Sequence, residues 1–343
     1  TAEGKPIDAA RAYAEAAKHA PEDPDVLVEA AEASALARDD HRFDAAAVAR
    51  LQRALQLNPN HQRGRWFLGE YAKRNRNADT SMVLDAVARI EHALASQRQQ
   101  QQEFERTDDL FAFVQRLQPA ADAGDAEARW LVSRVHEYCG GYARAPLDYD
   151  RDTALMMQVG PRVARPLGEA RSRVASRCIR FLPDDLPAYA HLVAQRQAAA
   201  LAGSLAAEAA LLTMGEPLDD DALYRRDLVE RVQASGDPDA YMALAPAMGL
   251  AAADDAALAG RVAGTQASEL AWQLAACRLG LDCSQGGALM TQYCANGGIC
   301  ARAPQQDFDT FVRQAALSPG EADDVDQMVN MLLMEHSHEV VMR

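Results

Sequence analysis

The sequence predicts an all-α protein, and three observations carry that expectation. Alanine, leucine, arginine, glutamate and glutamine, all good helix formers, dominate the chain. The β-branched residues that favour strands are scarce, isoleucine occurring only at positions 7, 90, 179 and 299. Apolar residues recur at helical spacing and are punctuated by proline and glycine. With 343 residues, the chain exceeds the usual ~100–200 residues of one domain, so two are expected.

The first elements repeat. Ala9, Tyr13 and Ala16 form one helical stripe closed by Pro21, and Ala47, Leu51 and Ala54 form another closed by Pro59. The steps of four, three and five residues are the same in both. Positions i, i+4 and i+7 share a face at 3.6 residues per turn, and the proline then ends the helix. Each proline is followed by a further helix, one from Asp25 (DVLVEAAEASALA) and one from Arg65 (RWFLGEYAKR). Pro21 and Pro59 lie 38 residues apart, against 34 in an ordinary tetratricopeptide repeat. The excess falls in the polar turn around Arg38-Asp39-Asp40-His41. A fainter third copy starts at Ala86, Ile90 and Ala93, with no closing proline.

A module boundary near residue 76 follows from composition. Residues 1–76 hold twelve Lys+Arg and twelve Asp+Glu, whereas residues 77–343 hold 23 against 38, so the whole net charge of −15 falls in the second part. All three lysines (Lys5, Lys18, Lys73) precede the boundary and all six cysteines follow it. The acidic balance argues against a nucleic-acid partner, because phosphate binding needs a basic surface. No run of about 18 apolar residues exists to span a membrane. The chain begins at Thr1, as a mature form trimmed of a signal peptide or anchor would.

Residues 77–108 read as a linker or connecting helix, since Gln97 to Glu103 (QRQQQQE) is polar and of low complexity. Beyond it, AADAGDAEARWLVSRVHEYC and QASGDPDAYMALAPAM share a Gly-Asp pair followed by an apolar helix, and AAALAGSLAAEAALLTMG is a looser relative. Glycine ends one helix and aspartate caps the next. Residues 109–343 are therefore expected to form one degenerate helical array.

The cysteines are Cys139, Cys178, Cys277, Cys283, Cys294 and Cys300. Five residues between members of the last pairs is wide for a zinc knuckle, and no C-x-x-C redox motif or C-x-x-C-H haem motif is present. Residues 269–279 and 286–295 read as two antiparallel helices, which separates Cys277 from Cys294 by roughly ten ångströms or more at ~1.5 Å per residue. A disulfide needs Cα atoms within ~7 Å. Geometry thus prefers Cys277–Cys283 and Cys294–Cys300, with Cys139–Cys178 if their helices run side by side; buried free thiols are the alternative. An even count of cysteines supports disulfides and an oxidising compartment, periplasmic or secreted.

Other candidates have plainer readings. Glu335, His336, His338 and Glu339 suggest a metal site, but residues two apart do not share a helix face, and a fraying terminus is expected. His136 and His191 stand isolated in helices. Asp219-Asp220-Asp221 and Asp323-Asp324 read as acidic helix starts, and Trp130 and Trp272 as core. No cofactor, metal or catalytic residue is expected.

Residues 7–76 resemble the tetratricopeptide module of CcmI-type cytochrome c maturation proteins, the periplasmic part of a haem-lyase complex. The resemblance rests on PEDPDVLVEAAEASALA, the lengthened turn, LQRALQLNPNHQRGRW and the Leu68-Gly69 pair, and covers about a fifth of the chain. The degraded third repeat departs from that pattern. Residues 109–343 are similar to Sel1-like repeats, so the whole is expected as an α/α superhelix, a tetratricopeptide-like module followed by a larger disulfide-containing helical domain. In tetratricopeptide proteins the first helix of each repeat lines a groove, which implies a binding surface with Glu32, Trp66, Glu70 and Lys73; Trp66 packed between repeats is the alternative. The resemblance implies a non-enzymatic envelope scaffold whose partner is a protein or peptide, namely the helical tail of an apocytochrome c. An adaptor in secretion or cell-wall assembly and a hydrolase with its site between the modules are the other expectations.

Overall fold

The computed structural model describes residues 5–38, 40–58, 61–74, 95–159, 161–301, 303 and 306–341. Among these residues every regular element is helical and no strand occurs. The chain divides into two compact units, Thr1–Gln99 and Gln100–Arg343.

The smaller unit contains α1 (Lys5–His19), α2 (Pro24–Leu36), α3 (Ala45–Leu57) and α4 (Gln62–Arg74), each packed on the next. Aspartates start two of them: Asp23 accepts from the backbone N–H of Asp25 and Val26, and Asp44 from that of Ala47. A side-chain acceptor at this position satisfies an N–H that the first turn leaves without a partner. Leu27, Val28 and Ala31 of α2, Ala47, Leu51, Ala54 and Leu55 of α3, and Phe67 and Leu68 of α4 make one core. At Gly64 a Cβ would stand 3.2 Å from Leu55 Cδ2 and 3.3 Å from Val28 Cγ2. The missing side chain is what lets α4 approach both earlier helices. The third repeat copy at Ala86, Ile90 and Ala93 lies outside the described residues.

The larger unit opens within α5 (95–106, of which 100–106 fall in this unit). It continues with α6 (Leu110–Asp122), α7 (Ala126–Ala143), α8 (Pro146–Val159), α9 (Pro161–Cys178), α10 (Tyr189–Leu201), α11 (Leu205–Thr213), α12 (Ala222–Ser235), α13 (Pro238–Leu244), α14 (Gln266–Leu279), α15 (Ala288–Gly297), α16 (Phe308–Ala315) and α17 (Pro319–Val341). The division falls inside the 77–108 connection expected from composition, and within it Phe104 is 1% exposed and belongs to the core of this unit.

The Gly-Asp device has the physical form expected of it. Gly124 (φ 99°) ends α6 and Asp125 caps α7, while Gly236 (φ 60°) ends α12 and Asp237 caps α13. The looser copy uses Gly203 and Ser204 in the same way before α11. Left-handed φ strains any residue with a Cβ, which is why glycine closes these helices. Asp221 caps α12 as expected, but Asp323 and Asp324 lie one turn inside α17 rather than at its start. Trp130 and Trp272 are both buried, and Trp272 lies 4.9 Å from the ring of Tyr241.

All six cysteines are paired. Cys139–Cys178 joins α7 to α9, and Cys277–Cys283 and Cys294–Cys300 tie the ends of α14 and α15 to the loops that follow them. Three disulfides and no free thiol are the pattern of a chain that matures outside a reducing cytosol. No described helix is long and apolar enough to cross a membrane.

Candidate functional site

On the smaller unit, helix α2 carries Asp25, Glu29 and Glu32 at i, i+4 and i+7, one acidic stripe. The segment that begins α4 answers it. His61 Nε2 lies 2.7 Å from Asp25 Oδ1, and Arg63 reaches both Glu29 and Glu32 with separate guanidinium nitrogens. His61 Nδ1 accepts the backbone N–H of Gly64 at 3.1 Å, so the ring proton sits on Nε2 and is donated to Asp25. One histidine thereby caps α4 and ties it to α2.

Of the four residues expected on a groove, Glu32 is held by Arg63. Trp66 is 39% exposed on α4 and meets Phe67 edge-on, with centroids 5.2 Å apart. Phe67 faces the core, so Trp66 does not share its buried position. Glu70 is half-buried one turn further on, and the Lys73 side chain lies outside the described residues. The reading from sequence missed Glu29, His61 and Arg63. The acidic spacing on α2 was the available signal, and the unanswered question was which cations it would meet.

On the larger unit a cleft of about 590 Å³ brings together His136, Asp184, Asp185, His191 and Gln195. His136 and His191, isolated in sequence, thus share one site. His136 Nδ1 stands 3.2 Å from Gln195 Oε1, and its ring meets Phe181 edge-on. Burial pushes its pKa below the ordinary histidine value and keeps the imidazole neutral. Asp185 is committed to a turn, its Oδ2 accepting the backbone N–H of Leu182 at 2.7 Å.

Among the described residues no three or more His, Cys, Asp or Glu side chains stand in a metal-binding array. The side chains of Glu335, His336, His338 and Glu339 lie outside those described. No protein-family model matches the chain, and no curated protein or solved structure matches it.

Proposed function

We propose that the chain is a non-enzymatic scaffold of the bacterial cell envelope that holds a helical segment of a partner protein against the α2/α4 side of its smaller unit. The observation that carries this reading is Trp66, a large aromatic left 39% exposed beside the charged row of Glu29, Glu32 and Arg63. Exposed tryptophan and arginine beside a rigid helical frame are the residue types that anchor partners. Recognition would take the helix-in-groove form, with apolar anchors at i, i+3, i+4 and i+7. The tetratricopeptide resemblance of residues 7–76 supports the periplasm as the compartment and the C-terminal helix of an apocytochrome c as the partner.

The test is fluorescence anisotropy of a labelled apocytochrome c C-terminal peptide titrated with the full chain. Saturable binding weakened about tenfold or more by Trp66→Ala, the loss of one anchor of ~1.4 kcal/mol, supports the proposal. Absence of binding at high micromolar concentration removes the cytochrome reading. A second reading, an envelope adaptor facing a basic partner, is favoured by the excess acidic charge after residue 76. It requires binding that weakens steeply with salt.

A further inference from the structure

His136 and His191 take no part in the partner site of the smaller unit, but the larger unit brings both to one cleft of about 590 Å³. That volume falls within the ~300–1,000 Å³ of clefts that take a ligand. Its apolar wall comes from Leu186 and Pro187, in the segment before α10, and from Ala194 and Ala198 on α10. Positions 194 and 198 lie one turn apart on one helix face, and alanine at both leaves the space above them open.

The polar groups around that wall are mostly acceptors. Asp184 is exposed, and its carboxylate has no ion pair or hydrogen bond among the described residues. Asp185 gives Oδ2 to the backbone N–H of Leu182 and keeps Oδ1. The His136 ring, held neutral by burial, donates its Nδ1–H to Gln195 Oε1, which makes its Nε2 an acceptor.

Among the described residues no lysine or arginine lines the cleft. The arginines attached to its wall are committed elsewhere: Arg129 donates to the carbonyls of Ala121 and Ala198, and Arg196 to Glu137. The start of α10 adds a partial positive charge of about half a unit, which two carboxylates outweigh. The cleft is therefore anionic, rich in acceptors and apolar along one wall.

Guanidinium is the complementary group. It carries a fixed positive charge, N–H donors and no acceptor, and in arginine it ends an apolar stem that lies well along alanine and proline. Leu182 and Tyr189 flank the lining segment 184–188, and each is more than half exposed. A lone cation would leave both bare, whereas a length of polypeptide covers them.

We propose that this cleft binds an arginine side chain of a partner polypeptide, with the guanidinium against Asp184 and Asp185 and the flanking apolar residues over Leu182 and Tyr189.

The rings of His136 and His191 report occupancy directly. Their NMR signals are followed in the full chain with carbon-13-labelled histidine, assigned through His136→Gln and His191→Gln, as acetylated and amidated Leu-Arg-Leu is added. Both signals are expected to shift saturably. The tripeptide with citrulline in place of arginine keeps the shape, loses the charge, and should bind about fivefold more weakly, the upper end for a surface ion pair. Asp184→Asn, at an exposed position, should reduce that preference, and arginine amide alone should bind more weakly than the tripeptide. No shift at millimolar tripeptide, equal binding of the citrulline form, or a preference that Asp184→Asn leaves intact each overturns the proposal. Arginine amide that binds as tightly as the tripeptide overturns the polypeptide as occupant and leaves a free organic cation in its place.

Discussion

Cys139 on α7 and Cys178 on α9 are bonded across a Cα separation of 5.5 Å, and both are fully buried in the core of the larger unit. Their bond closes 39 residues of chain, whereas Cys277–Cys283 and Cys294–Cys300 each close six. Loop-closure entropy then assigns about 4 kcal/mol to the first bond and about 2 kcal/mol to either of the others. Denaturant unfolding of Cys139→Ala/Cys178→Ala is expected to show the larger loss of the two classes. Equal losses would mean that the bonds act through local packing rather than through the unfolded chain.

Glu208 of α11 accepts from Tyr224 Oη at 2.8 Å and from both terminal nitrogens of Arg231, at 2.8 and 2.6 Å. Glu208 is 8% exposed, so Arg231→Ala strands a buried carboxylate and is expected to cost about 3 kcal/mol. The exposed pair Arg165–Glu169, one helical turn apart, is the control, and Arg165→Ala should cost less than about 1 kcal/mol. Chemical unfolding midpoints of the two variants check the contrast.

His136 gives a pH dependence of its own. Its folded pKa lies below the ordinary value because burial penalises the imidazolium. The unfolded chain therefore takes up the proton first, and the stability this neutral ring supports is fully present above about pH 6.5. That stability is lost as pH falls from there towards the lower folded value. Unfolding of His136→Gln measured at pH 7 and pH 5 should show a smaller acid loss than the wild-type chain. An unchanged acid loss would mean that the ring titrates alike in both states.

Much of this fold was legible because its signals are local. Ala47, Leu51 and Ala54 mark the packed side of α3, whereas the matching stripe of α1, Ala9, Tyr13 and Ala16, is exposed, and Gly124-Asp125 and Gly236-Asp237 announce a helix end and the next start within two residues. The short disulfides were legible for the same reason, each cysteine pair bracketing one helix end. At QRQQQQE the run is helical and largely exposed, and what composition did not show is that it leads straight into the buried Phe104. What no local pattern could show was pairing across the chain. Arg63 reaches Glu29 and Glu32 across more than thirty residues, and Arg134 meets Asp239 across 105. His136 and His191 face one cleft because α7 and α10 pack together. A charged residue's role is set by the partner the fold delivers to it, and periodicity does not name that partner.

The claim on which the compartment rests is that all six cysteines are oxidised in pairs. Alkylation of the denatured, unreduced chain followed by intact mass measures it directly, on protein purified from its native host. No free thiol before reduction and six after it is the predicted result. Six free thiols before reduction would contradict the account and return the chain to a reducing compartment.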